Sequence, residues 1–232
     1  YDVETRARDD IAVLDALRIL KATFVGHSLA GSELAKLGEL YGDRVDKLVF
    51  LDAADLAERF LPSRAEPPGP GEVFTSAALR SLSAYQAASA RYTALRKPDA
   101  AVCSQVVFGP RGEILDSSTP DWVSDKLLQG VSENPRVDWA RIGTPRLGIF
   151  APFTLQDRQP WYWYLSAAQQ AQFDQAWPPI VVWHAQTIDR FANGNATPTL
   201  QLPGAPHYVY INNEAEVVRE MRNFLGLPVG GH

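Results

Sequence analysis

Three side chains of this sequence have the types and settings for nucleophilic acyl chemistry: Ser28, Asp52 and His207. A serine hydroxyl is a poor nucleophile until a base lies within hydrogen-bond reach. An imidazole base in turn needs a carboxylate to hold its tautomer. Ser28 lies in the run Thr23-Phe24-Val25-Gly26-His27-Ser28-Leu29-Ala30-Gly31. That run passes from an apolar stretch, through a turn of small residues, into a segment of helical spacing. Such a turn lifts the hydroxyl off the sheet edge and aims the positive start of the next helix at it. Asp52 closes the apolar run Lys47-Leu48-Val49-Phe50-Leu51, and His207 follows Thr199-Leu200-Gln201-Leu202 in a loop with Pro203, Gly204 and Pro206. In open α/β sheets functional groups gather beyond the carboxyl ends of the strands, and all three residues occupy such places.

The elements that must position them alternate in type. Ala7, Ile11, Leu14 and Leu17 recur at helical spacing over 4–20. Ala22–Val25 reads as a buried parallel strand. A helix over 29–41 carries Leu34, Leu37 and Tyr41 on one face, with Gly42 as its stop. The strand ending at Asp52 follows. Helix, strand, helix, strand predicts βαβ units and a parallel sheet. The rhythm then breaks at a Pro/Gly-rich loop, Pro62–Gly71. A small-residue helix over 72–95 is expected next. Ala101–Asp116 suggests a hairpin around Gly109-Pro110-Arg111-Gly112, and a helix runs from Pro120-Asp121 to Gly130. Alternation resumes with a strand at 144–151, a helical region over 166–192 bent at Pro178-Pro179, and the strand at 199–202. A last helix starts near Asn213 in a capping-box-like setting with Glu216. The economical division is a core of 1–54 and 144–232 with a cap or lid insertion at 55–143.

Composition narrows the function. The 232 residues suffice for one sizeable core, or a core and a small lid. A net charge of −5 argues against a nucleic-acid binder, which would show a basic stripe. The absence of a long apolar run predicts no transmembrane helix. The single cysteine, Cys103, excludes an internal disulfide and a Cys-rich zinc site. This is compatible with the cytosol. The chain opens at Tyr1 rather than Met, so it is treated as a candidate fragment, and a signal peptide in a missing front end is left open.

The residues Gly26-His27-Ser28-Leu29-Ala30-Gly31 resemble the nucleophile elbow, G-x-S-x-G, of the α/β-hydrolase superfamily of the serine esterase and lipase type. One position departs: Ala30 stands two after the serine, and glycine comes one later. Alanine is small enough for the turn to survive. Leu202-Pro203-Gly204-Ala205-Pro206-His207-Tyr208-Val209 resembles the family's histidine loop ahead of the last helix. The order Ser, Asp, His is the family's order. The resemblance runs from residue 1 to about 227 and is weakest across 55–143.

The resemblance implies an α/β-hydrolase fold: a mostly parallel sheet flanked by helices, with an inserted cap. It implies Ser28 as nucleophile, His207 as base and the backbone N–H of Leu29 as an oxyanion donor. For the acid it leaves two choices. Most members carry the acid after the strand that follows the cap, where the nearest is Asp157. Some lipases and haloalkane dehalogenases carry it earlier, at the position of Asp52. Asp52 is the first choice. The family's second oxyanion donor comes from a loop that would precede residue 1, together with the front strands of the sheet. The nucleophile strand would then stand at a sheet edge.

The expected function is cleavage of a carboxylic ester or related acyl bond through an acyl-enzyme, acting on a small-molecule substrate without metal or organic cofactor. An acyltransferase or perhydrolase with the same triad, a non-catalytic binding protein of this fold, and an inactive fragment are the alternatives. Blander roles are assigned elsewhere. Asp52 is otherwise a helix N-cap, and Asp157 a loop charge. His27 reads as structural, His184 as a core or surface residue, and His232 as part of a loose terminus. Cys103 reads as a buried small apolar residue. The aromatic run Trp161-Tyr162-Trp163-Tyr164 either lines an acyl pocket or packs. Asn195-Ala196-Thr197 is a glycosylation sequon by letters alone.

Overall fold

The computed structural model of the chain describes residues 2–53, 68–69, 71, 73–133 and 136–228. The Pro/Gly-rich loop expected over Pro62–Gly71 falls largely outside them, as does the helix that Asp52 would cap. His232 lies wholly outside.

The chain divides into two compact units, Tyr1–Arg64, Lys126–Phe153 and Val181–His232 in one, Ala65–Asp125 and Thr154–Ile180 in the other. The first holds a four-stranded parallel sheet in the order β1-β2-β5-β6. Its strands are β1 (Ala22–His27), β2 (Val45–Leu51), β5 (Arg146–Phe150) and β6 (Thr199–Gln201). Among the described residues β1 forms one edge. Helix α1 (Val3–Ala16) starts at an N-cap, Asp2, whose Oδ1 accepts the Thr5 N–H at 2.8 Å. This bond holds the Asp2 carboxyl below its usual range. Val3, Ala7, Ile11 and Leu14 form the buried face of α1, but Leu17 lies past its end and is exposed.

Alternation along the strands splits the core into two faces. Leu48 and Phe50 of β2 point to a cluster with Ala7, Ile11 and Leu14 of α1, and with Leu34, Ala35 and Leu37 of α2 (Ala30–Leu40). Val49 and Leu51 point the other way, to Leu147 and Ile149 of β5 and to Val217 of α8 (Glu214–Leu225). Met221 and Phe224 of α8 pack on that face, whereas Val218 is exposed. Each fully buried leucine or isoleucine contributes about 1.5–3 kcal/mol. The capping box expected at Asn213 does not form, since its side chain makes no cap hydrogen bond. A short helix, α7 (Val209–Asn212), leads straight into α8, and Asn213 between them has φ −119° and ψ 38°, outside the extended region that a capping residue adopts. Gly226 ends α8 with φ 73°.

One buried cation sits at the amino end of β5. Arg146 is 3% exposed and donates to the carbonyls of Ile142 at 2.8 Å, Trp139 at 2.9 Å and Gly194. Burial lowers its pKa.

The second unit contains α3 (Leu82–Thr93), α4 (Asp99–Cys103) and an antiparallel hairpin of β3 (Val106–Phe108) and β4 (Ile114–Ser117). Val102, Val106 and Ile114 form its small core with Leu79, Leu82 and Tyr85. The hairpin turns where the glycines lie, as expected. Cys103 is exposed, not buried, because the five-residue α4 turns Val102 inward. Helix α5 (Asp121–Ser132) runs two residues beyond its expected end, and α6 (Ala167–Asn193) is one continuous helix through Pro178 and Pro179. The expected bend is therefore not a break in the helix. Among the described residues no helix is long and apolar enough to cross a membrane.

Candidate active site

The carboxyl ends of β1 and β2 bring two unusual backbone positions together. His27 of β1 pairs with Leu51 of β2, so the next residues, Ser28 and Asp52, stand level on neighbouring strands. The Ser28 N–H donates to the Leu51 carbonyl at 3.3 Å, and the Asp52 N–H to the Ile149 carbonyl at 2.7 Å. Both residues have positive φ, 57° at Ser28 and 43° at Asp52. Non-glycine residues adopt this region at a cost of about 1–3 kcal/mol, and such positions concentrate at functional sites. Here the sharp reversal carries the chain from β1 into α2. The Ser28 carbonyl accepts the Gly31 N–H at 3.0 Å and closes the turn.

The turn depends on small residues. A Cβ added to Gly26 would lie 2.8 Å from Leu34 Cδ1 and 2.9 Å from Ala30 Cβ. Gly26 and Ala30 thus let α2 approach β1, and Ala30 fills its departure from the glycine pattern without displacing the helix. Leu29 precedes the first turn of α2, where backbone N–H groups have no intrahelical partner.

Asp52 is buried, and both its oxygens are used. Oδ1 accepts the Ala151 N–H at 2.9 Å, and Oδ2 lies 2.7 Å from His207 Nδ1. A carboxylate only accepts, so Nδ1 carries a proton, and in the neutral imidazole Nε2 keeps its lone pair. The His207 side chain is 47% exposed and that of Asp52 5%. The acid is therefore dry and the imidazole is open to an incoming molecule. No Ser28–His207 hydrogen bond is present among the described residues.

No family model matches the chain. The Escherichia coli (strain K12) protein Esterase YbfF is 50% identical over 48 residues, which make up 21% of this chain and 19% of that relative. The chain thus matches about a fifth of that relative's length. Solved structures align along nearly the whole chain. A probable hydrolytic enzyme from Pseudomonas aeruginosa PAO1 is 17% identical, with a TM-score of 0.61, over 97% of this chain and 70% of that one. An E-2-(acetamidomethylene)succinate hydrolase is 18% identical at a TM-score of 0.59, over 97% and 74%. An α/β hydrolase fold protein from Nakamurella multipartita is 16% identical at 0.57, over 97% and 75%. This chain has the α/β-hydrolase fold.

Within the α/β-hydrolase fold of this chain, the remaining candidates are placed as follows. Asp157 belongs to the second unit, where Oδ2 accepts the Thr154 N–H at 2.6 Å and closes its own loop. His184 accepts the Phe153 N–H at Nδ1 (3.3 Å) and stacks on the Phe153 ring at 4.1 Å. The aromatic run divides: Tyr162 is buried and donates to Asp174 at 2.9 Å, while Trp163 and Tyr164 are exposed. The side-chain nitrogen of Asn195 donates to the carbonyls of Ala140 and Ile142, at 3.0 and 3.2 Å.

A cavity of about 490 Å³ lies in the first unit, lined by Asp138, Trp139, Gln186, Asp189, Arg190 and Asn193. None of Ser28, Asp52 and His207 lines it. Trp139 and Gly194, which also line it, bind Arg146 at the amino end of β5, the opposite end of the strands from that used by ligands in such sheets. Among the described residues no group of three or more His, Cys, Asp or Glu side chains is placed to hold a metal ion.

One residue matters more in space than its sequence setting indicates. His27 reads as structural in the sequence, yet its ring lies against His207, with centroids 4.4 Å apart. No sequence signal links two residues 180 positions apart.

Proposed function

We propose that this chain forms the catalytic core of a serine hydrolase that cleaves a carboxylic ester or related acyl bond. Ser28 Oγ attacks the carbonyl carbon, and His207 Nε2 takes its proton as the bond forms. Asp52 holds the imidazole tautomer and stabilises its charged form. The oxygen of the tetrahedral intermediate is met by the Leu29 N–H, at the positive start of α2. Each well-aimed oxyanion donor contributes about 3–4 kcal/mol to the barrier reduction. The intermediate collapses with transfer of the His207 proton to the leaving alkoxide, and an acyl-Ser28 ester forms. Water, deprotonated by His207, then attacks this ester and releases the acid.

The single observation that carries this reading is the 2.7 Å contact of His207 Nδ1 with buried Asp52, one residue beyond the strand pair that also presents Ser28. It leaves Nε2 as the free basic atom. The strained φ of Ser28 supports the nucleophile, and the hydrolase names of the structural neighbours support the reaction class. Catalytic hydrogen bonds are often long without substrate and tighten when it binds, so Ser28 and His207 need not touch in the unliganded site. We take Asp52, not Asp157, as the acid, because the second is spent on its own loop. Residues 55–143 are proposed as a cap or lid insertion; the separate small core of the second unit supports this for the part up to Asp125, whereas Trp139 and Ile142 pack in the core of the first unit.

A fluorophosphonate probe tests the assignment. Labelling of the protein that disappears in Ser28→Ala supports a serine enzyme. Absence of labelling in the unmodified protein overturns it in favour of a binding role. Acyl transfer to an alcohol or to peroxide in place of water would be read from the products of an active preparation.

A further inference from the structure

The triad reading leaves His27 unused, although its ring meets the rings of His207, Tyr208 and Tyr210. β1 ends at His27, immediately before Ser28. His27 Nε2 lies 2.9 Å from the main-chain carbonyl oxygen of His207. A carbonyl only accepts, so this nitrogen carries a proton and donates it. The rings of Tyr208 and Tyr210 each stand 5.1 Å from the His27 ring, one tilted and one edge-on. These contacts fix the orientation of the donor.

His207 itself is poorly placed to hold its own position. It sits in a loop with Pro203, Gly204 and Pro206, and about half of its side chain is exposed. The His27 and Tyr208 rings pack on the covered part of the His207 ring, with centroids 4.4 and 5.5 Å away. Two hydrogen bonds add direction, at opposite ends of the residue. The end of β2 holds the ring through Asp52, and the end of β1 holds the carbonyl through His27. β1 and β2 are paired in register at His27 and Leu51, so both anchors stand on one rigid strand pair that also carries Ser28.

We infer that His27 is a positioning residue, clamping the His207 backbone to the end of the nucleophile strand so that base and nucleophile keep a constant separation. The inference rests on the triad reading above. A displacement of about 1 Å between reacting groups can cost on the order of 100-fold in rate. A carbonyl anchor thus has a catalytic consequence without touching substrate.

The test compares His27→Phe, which keeps a ring without a donor, with His27→Gln, which keeps an N–H donor without a ring. Hydrolysis of p-nitrophenyl butyrate, labelling by a fluorophosphonate probe and the downfield proton resonance of His207 Nδ1–H are followed for both. His27→Phe should lower kcat about tenfold to 100-fold with KM within about twofold, and should broaden or remove the resonance. His27→Gln should recover most of both. The inference is overturned if His27→Phe stays within twofold of the unmodified protein, or if His27→Gln falls as far as His27→Phe. The resonance is also followed in a Ser28→Ala background. If the unmodified protein does not react with the probe, the triad reading fails, and the resonance decides the clamp without catalysis.

Discussion

Ser28 and Asp52 stand level at the carboxyl ends of two paired parallel strands, and both hold the backbone in the left-handed region, at φ 57° and 43°. The pairing makes the separation of Ser28 and Asp52, the proposed nucleophile and acid, a property of the sheet, and only His207 has to be brought to it. Substitution of Asp52 should therefore act on chemistry far more than on binding. Asp52→Asn is expected to lower kcat by about 10³–10⁴-fold, because an amide no longer selects the Nδ1–H tautomer. Asp157→Asn, whose carboxyl serves the Thr154 N–H, should leave turnover within about twofold. Loss of turnover in Asp157→Asn alone would reverse the choice of acid.

Gly26 is tested by adding one methyl group. The Cβ of Gly26→Ala would lie under 3 Å from both Leu34 Cδ1 and Ala30 Cβ. Overpacking of this kind costs about 1–3 kcal/mol, read as a lower urea midpoint with an unchanged slope. Adding Ala30→Gly removes one of the two clashes and should recover part of the loss. An unchanged midpoint in Gly26→Ala would contradict the close approach of β1 and α2.

Arg146→Met removes the donor shared by the carbonyls of Trp139, Ile142 and Gly194. Asn195 Nδ2 still donates to the Ile142 carbonyl and Thr197 Oγ1 to that of Gly194, so the Trp139 carbonyl is the one that loses its donor. A buried carbonyl left without a partner costs about 1–3 kcal/mol, which lowers Tm by roughly 2–12 °C in a chain of this size. Calorimetry showing no drop would mean that water replaces the guanidinium.

Glu33 predicts a pH dependence. Arg6 Nη1 lies 3.0 Å from its Oε2, which by itself would lower the carboxyl. Burial, the hydrogen bond with Asp10 and the charges of Asp10 and Asp9 outweigh this pair and push the pKa up to about 7 from 4.5. The folded state therefore binds the proton more tightly than the unfolded chain does. Its contribution to stability is complete below about pH 4.5 and is lost as pH rises to about 7. The urea midpoint of the unmodified protein should fall across this window relative to Glu33→Gln, which has no proton to lose. Parallel pH profiles for the two would exclude the effect.

Much of this was legible in one dimension. Apolar runs closed by small residues mark β1 and β2, and the elbow around Ser28 is local, since a strand, a tight turn and a helix are consecutive in the chain. The order Ser28, Asp52, His207 is legible for the same reason. Where local pattern failed, tertiary context had decided. Leu17 has the spacing of a core residue, but it lies past the helix end and is exposed. Cys103 has a core composition, yet a five-residue helix can bury only one side.

The sequence by itself determined the α/β alternation, the elbow and the candidate trio, because periodicity and turn chemistry act over a few residues. Only the tertiary structure decided which carboxylate meets His207, and that His27 holds its backbone. Those contacts join residues 155 and 180 positions apart and arise from strand register and loop closure, which no local spacing encodes.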